Sequence, residues 1–124
     1  MVGQSWQDAS DWFFTNSYSI VKLYDSLSKL KIKFKLIHIS TPEVYGNLKA
    51  ITPENQSYNP TTPYAVSRVT ADQYLKILHD IKKIKYCSIR ASNVYGEHQR
   101  LYRIIPKTIL SILKKKKLQL DGGG

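Results

Sequence analysis

Apolar positions along the chain alternate between a helical and a strand-like period. Over residues 11–30, Phe14, Ile20, Val21, Tyr24, Leu27 and Leu30 recur at roughly helical spacing with lysines and serines between them, which predicts an amphipathic helix. Ser10 stands where its N-cap belongs, and residues 1–9 carry no period and read as a loop. Residues 34–40 are apolar almost throughout, as expected of a parallel strand covered on both faces. Residues 46–63 are rich in Asn, Thr and Pro and predict a loop. Pro63 holds Thr62 away from helical geometry, so it fixes where the next helix starts. That helix runs over residues 64–82, with Ala65, Val69, Leu75, Leu78 and Ile81 among its apolar positions. A second strand follows over 84–91, then a third helix over 105–115 with Pro106 in its tolerant first turn, and 117–120 reads as the start of a last strand. Helices alternating with strands predict an α/β fold on a parallel sheet.

Composition narrows the class. The chain has 124 residues, 42% hydrophobic and 23% charged, which suits one modest globular core rather than a disordered segment. No apolar run approaches the length of a membrane span, and MVGQSWQDAS has neither the basic nor the apolar region of a signal peptide, so the expectation is a cytoplasmic chain without membrane contact. Cys87 is the single cysteine; no internal disulfide can form, and within Lys85-Tyr-Cys-Ser-Ile it reads as a small core residue. The net charge of +10 raises the question of polyanion binding. Its lysines, however, collect at predicted helix ends, such as Lys82, Lys83, Lys85 and the run 114–117, where cations offset the macrodipole. With no zinc-ligand spacing, RNA-binding motif or aromatic platform beside them, no specific nucleic acid and no metal is expected. His38, inside an apolar strand, reads as a packed core histidine.

The chemistry gathers between His38 and Arg68. Tyr64 and Arg68, at i and i+4, share one face of their helix about one turn apart, which sets a fixed cation beside a phenol. A cation there favours the phenolate, and so makes the phenol a usable proton donor and acceptor. Ser40, Thr41 and Glu43 add hydroxyls and a carboxylate at the carboxyl end of the first strand, where open α/β sheets bind ligands.

Three segments in order, Ser-Thr-x-Glu-x-Tyr-Gly (40–46), Tyr-x-x-x-basic (64–68) and Arg-x-Ser-Asn-x-Tyr-Gly (90–96), resemble the extended short-chain dehydrogenase/reductases. Among them the likeness is to the NAD-dependent sugar-nucleotide epimerases and dehydratases, most of all the dTDP-glucose 4,6-dehydratase-like branch. The resemblance implies a partial Rossmann-like, doubly wound parallel sheet, with residues 1–124 forming one partial catalytic domain. It implies NAD as cofactor, with NADP left open, and a nucleoside-diphosphate sugar as substrate. It also implies that Tyr64 exchanges a proton with a sugar hydroxyl, that Arg68 holds the nicotinamide ribose, and that Ser40 or Thr41 hydrogen-bonds the reacting hydroxyl. Glu43 falls where 4,6-dehydratases carry the carboxylate that removes the proton beside the new ketone. Asn93, Arg103, Ile105 and Pro106 fall on the nucleotide-sugar pocket, with Arg100 and Arg103 suited to a diphosphate. Arg90 and Tyr95 are structural on this reading, and Asn16 supports the site.

Two departures and one absence qualify the resemblance. Pro42 stands where dehydratases carry the Asp that protonates the departing hydroxyl, which keeps a 4-epimerase-type oxidoreductase open as an alternative. Arg68 replaces Lys; it keeps the charge but does not deprotonate. No glycine-rich pyrophosphate turn occurs, since the only glycine cluster is residues 122–124 with no helix after it. The expectation is therefore the catalytic middle of a longer or split protein, weak in NAD binding alone, forming a homodimer or joined by a companion chain that supplies the N-terminal part. A non-catalytic remnant is the alternative from another class.

Overall fold

The structure is a computed structural model that describes residues 3–47 and 51–118. It divides into two compact units, Met1–Ser92 and Asn93–Gly124. In the first, a 3₁₀ turn (Gly3–Trp6) leads into α1 (Ala9–Phe13), a π-helical turn (Phe14–Ser19) and α2 (Ile20–Ser28); then come β1 (Lys35–Ile39), a second 3₁₀ turn (Pro42–Tyr45), α3 (Pro63–Lys82) and β2 (Lys85–Ile89). The second holds α4 (Ile104–Leu113). The first helix opens one residue before Ser10, at Ala9, and Asp8 precedes it without a side-chain cap, so the expected Ser10 cap is not used. Of the expected last strand, residues 117 and 118 form none, and 119 and 120 lie outside the described residues.

β1 and β2 pair in parallel with Lys35 beside Lys85 and Ile39 beside Ile89, and α3 is the crossover between them. The helix runs antiparallel to both strands: Arg68 near its start donates to the Ile39 carbonyl at the end of β1, and its last residue leads straight into β2. Alternation sends Leu36, His38 and Tyr86 toward α2 and α3, where Leu36 and Tyr86 pack on a core of Tyr24, Leu75 and Leu78. Burying Leu75 alone is worth about 1.5–3 kcal/mol.

The other sheet face corrects the sequence reading. Ile37 and Ile39 are 59% and 61% exposed, and Cys87 is exposed rather than a core residue. A uniformly apolar strand reports that both faces are fit for burial, and here α2 and α3 cover only one.

Three local devices set the strand end. Thr41 caps the Pro42–Tyr45 turn, its Oγ1 accepting from the Glu43 amide at 3.3 Å, and Pro42 sits at the first position of the turn, where no backbone donor is needed. Gly46 ends the turn at φ 73°, and an added Cβ would lie 2.2 Å from the Asn59 carbonyl oxygen. Beside it the Asn59 amide donates to the Val44 carbonyl at 2.9 Å, so the loop is clamped to the strand end. Thr62 Oγ1 then accepts from the Ala65 amide at 3.1 Å and starts α3. Gly46→Ala is expected to cost at least about 1–3 kcal/mol in a urea unfolding titration; an unchanged midpoint would mean that the clamp is not required.

Candidate functional site

Tyr64 and Arg68 stand in the first turns of α3, which docks through Arg68 on the end of β1. Ser40 and Thr41 are buried there, and Glu43 lies in the following turn. The bond from Arg68 Nη2 to the Ile39 carbonyl ties the helix to the strand end, while its Nε is buried without a partner. The Tyr64 ring meets Trp12 edge-on, with centroids 5.3 Å apart at 83°, and its hydroxyl makes no hydrogen bond among the described residues. Thr41 accepts from the Glu43 amide and keeps its own O–H free to donate.

Asn16 is brought to this helix by the π turn. One extra residue per turn there brings neighbouring side chains onto one partner: Asn16 Nδ2 donates to Ser67 Oγ at 3.2 Å and Ser17 Oγ to the Ser67 carbonyl at 3.0 Å. Ser67 Oγ donates in turn to the Tyr64 carbonyl at 2.8 Å. A chain of hydrogen bonds thus links Asn16 to the backbone of Tyr64. Helical spacing conceals this, because the sequence shows no sign of the π turn.

Behind the strand end lies a polar network that motif reading did not find. Asp72 is 3% exposed; its Oδ1 accepts from His38 Nε2 at 2.9 Å, and its Oδ2 from Arg90 Nη2 at 2.9 Å and from the Tyr58 hydroxyl at 3.2 Å. His38 Nδ1 lies 2.5 Å from the Tyr24 hydroxyl. Arg90 also donates to Tyr58 at 2.5 Å and to Tyr45 at 2.9 Å, with its guanidinium over both rings. Burial pushes the Asp72 carboxyl up, but the bonds from His38 and Arg90, with the Ser40 hydroxyl close by, outweigh it and hold it below the usual range. Ser40 contributes to that field without a well-formed hydrogen bond, so its buried hydroxyl remains unpaired. Burial, followed by the Asp72 charge, pushes Tyr58 up to about 12, and burial raises Tyr24. With Asp72 ionised, His38 donates from Nε2, which leaves Nδ1 to accept from Tyr24. His38 is thus a core histidine, as expected, but a fully hydrogen-bonded one. The available signal was Asp72 itself, an acid within the Ala71, Leu75, Leu78 stripe.

In the second unit, Asn93, Arg103 and Ile105 line one pocket of about 250 Å³ with Tyr95, Gln99 and Tyr102. Pro106 and Ile105 border another, more apolar one. Arg103 lies over the Tyr102 ring at 5.6 Å.

NAD fits the first unit in a limited sense. Two buried polar atoms, Ser40 Oγ and Arg68 Nε, lack protein partners at the strand end, as does the Tyr64 hydroxyl among the described residues. Hydroxyl-rich groups such as a ribose or sugar could satisfy donors and acceptors of this kind.

Comparison with known proteins agrees with this geometry. The chain is 32% identical over 124 residues to the human dTDP-D-glucose 4,6-dehydratase, covering 99% of this chain and 35% of that one. It therefore spans about a third of that relative's length. Among solved structures, the dTDP-glucose 4,6-dehydratase DesIV of Streptomyces venezuelae, with NAD and TYD bound, matches 95% of this chain and 37% of its own at a TM-score of 0.82 and 26% identity. The UDP-N-acetylglucosamine 4-epimerase of Methanobrevibacter ruminantium matches 94% of this chain and 39% of its own at 0.83 and 28% identity. None of the described helices is long and apolar enough to cross a membrane. The family model for NAD dependent epimerases and dehydratases matches residues 1–124, and with the parallel β1-α3-β2 unit and the Tyr64 helix docked on the strand end, the chain belongs to the NAD dependent epimerase/dehydratase family.

Proposed function

We propose that the chain is the proton-handling middle of a nucleotide-sugar-modifying enzyme of the 4,6-dehydratase type, both units belonging to one catalytic domain. The observation that carries this reading is the docking of α3 on the end of β1, which holds Tyr64 and Arg68 in the same unit as Ser40, Thr41 and Glu43. The NAD of the family supplies a hydride acceptor and donor when bound. Tyr64 takes the proton of the sugar hydroxyl as its carbon becomes a ketone. Thr41, whose own O–H is free, donates a hydrogen bond to the oxygen that reacts. Glu43 removes the proton made acidic by the neighbouring ketone and, now protonated, gives it to the departing hydroxyl, which leaves as water; the alkene left behind takes back the hydride together with the proton that left the sugar hydroxyl, and the ketone remains. Arg68, tied to the Ile39 carbonyl through Nη2, offers its unpaired Nε as a donor for a bound ribose. Asn93 and Arg103 bind the nucleotide diphosphate on this reading, with Ile105 and Pro106 packing the pocket wall.

Pro42 favours a second reading, a 4-epimerase-type oxidoreductase that eliminates no water. Proline donates no proton to a leaving hydroxyl, and the local structure explains the residue fully as the first position of a 3₁₀ turn. Product analysis separates the two. The polypeptide or complex that contains this chain is incubated with NAD and dTDP-glucose; a 4-keto-6-deoxy sugar supports elimination, and the 4-epimer alone supports the second reading. Recovery of unchanged sugar from every nucleotide sugar offered would sink both.

The 124 residues by themselves are expected to bind NAD weakly and to show no turnover, because no glycine turn for the pyrophosphate occurs among them. A calorimetric titration showing tight, one-to-one binding would overturn that expectation.

A further inference from the structure

The sheet brings together lysines that the sequence keeps apart. Lys35 and Lys85 stand opposite each other at the amino ends of β1 and β2, because the strands pair in parallel register. Lys33 precedes β1, and Lys82 and Lys83 close α3, so five lysines surround one concavity of about 700 Å³. All five are exposed, and no arginine or carboxylate lines the pocket. It lies at the opposite end of the strands from Ser40 and Thr41, four steps of about 3.3 Å, or about 13 Å, along β1.

Helix ends account for only part of this charge. The carboxyl ends of α2 and α3 meet the pocket through Ser28 and Lys82, and each carries about half a negative charge. Lys82 and Lys83 answer it: Lys82 Nζ donates to Ser28 Oγ at 2.8 Å and lies 4.0 Å from Asp25 Oδ1, and Lys83 Nζ donates to the Asp80 backbone carbonyl at 2.8 Å. Asp25 is held more closely by Lys29, at 2.6 Å, and Asp80 by Lys76, at 2.9 Å. Lys33, Lys35 and Lys85 make no hydrogen bond or ion pair among the described residues. Like charges directly opposite on paired strands repel, so Lys35 and Lys85 oppose the fold until an anion joins them.

Shape and residue type select that anion. A concavity of this volume is of small-molecule size, unlike a groove that follows a nucleic-acid backbone. A lysine ammonium is a compact point charge that suits phosphate oxygens, whereas the fork that matches a planar carboxylate belongs to arginine. Ile32 and Phe34 add an apolar wall beside the charges. We propose that this pocket binds a triphosphate group, free or carried by a nucleotide, with Lys33, Lys35 and Lys85 on its oxygens. The inference stands on the lysine cluster and not on the catalytic reading.

The probe is inorganic tripolyphosphate, titrated by calorimetry without magnesium into the polypeptide or complex that contains this chain, at about 0.15 M salt. Lys33→Gln with Lys35→Gln and Lys85→Gln is expected to weaken binding at least about tenfold. Lys114→Gln with Lys115→Gln and Lys116→Gln removes the same charge from residues that do not line the pocket, and is expected to weaken binding less than about twofold. Lys35→Gln alone is expected to cost about two- to fivefold, and it decides the matter if the triple variant does not fold. Absence of binding up to millimolar tripolyphosphate overturns the proposal, as does an equal loss in the two triple variants, which would make the effect one of net charge. Tighter binding of a single-stranded oligonucleotide or of a polyglutamate peptide also overturns it, in favour of those partners. ATP binding at least as tightly as tripolyphosphate supports the site and assigns its phosphates to a nucleotide lying on Phe34; ATP binding at least about tenfold more weakly supports it and assigns them to a free oligophosphate. A phosphate site elsewhere in a longer polypeptide does not respond to these lysines, and no sugar enters the assay, so failure of the catalytic reading leaves the outcomes unchanged.

Discussion

Tyr64→Phe is expected to reduce turnover by about 10²–10⁴-fold in the polypeptide or complex that carries the activity, the range lost with a positioned general acid or base. That corresponds to about 3–5 kcal/mol of barrier. The substitution is selective, because the Tyr64 hydroxyl has no partner among the described residues while the ring keeps its edge contact with Trp12. Stability is therefore expected to change by no more than about 0.5 kcal/mol. Parallel measurement of steady-state rates and thermal unfolding checks both halves. A variant with full turnover would remove Tyr64 from the proton path. A variant that lost activity and several degrees of stability together would assign the residue to packing instead.

Asp72→Asn is expected to lower the unfolding free energy by about 3–5 kcal/mol, the cost of removing one partner from a buried ion pair. The carboxylate accepts from His38, Arg90 and Tyr58, and it is 3% exposed. An amide of the same shape presents an N–H₂ where one of those donors must find an acceptor. Against a total stability of about 5–15 kcal/mol, the loss is large enough to unfold much of the population. The same group gives a pH dependence. The Asp72 carboxyl is held lower in the folded chain than in the unfolded one, so its contribution is complete above the unfolded value, near 4. It is lost as the pH falls through the folded value. Urea midpoints at neutral and strongly acidic pH are expected to converge for wild type and Asp72→Asn. A variant that lost less than about 1 kcal/mol at neutral pH would show that the network contributes little net stability.

The network bears on the site as well as on stability. Through His38 it fixes the strand that leads to Ser40 and Thr41, and through Arg90, Tyr58 and Tyr45 it joins β2 to the loop and turn after β1. The Tyr45 hydroxyl continues to the Glu54 carbonyl at 2.8 Å. The residues around Thr41 and Glu43 are thus held from three sides, a condition for presenting proton-transfer groups at fixed positions.

Much of this was legible in the chain itself. The helical and strand periods located the segment from α1 through α2 as one helix, and β1, α3, β2 and α4, to within a few residues, since each amphipathic face is written locally in residue spacing. The motif order identified the family, because the residue types near the strand end and the Tyr64 helix are chemical requirements rather than products of packing. Three things were settled only in three dimensions. The spacing that predicts a helix over residues 11–30 is silent about a π turn, and with it about Asn16 and Ser17 converging on Ser67. Asp72, His38 and Arg90 lie up to 52 positions apart, and their pairing depends on α3 crossing between two parallel strands. Finally, the apolar run in β1 states that both faces can be buried, whereas only the arrangement of neighbouring elements decides which face is. That is why Ile37, Ile39 and Cys87 read as core residues in the sequence and lie open in the fold.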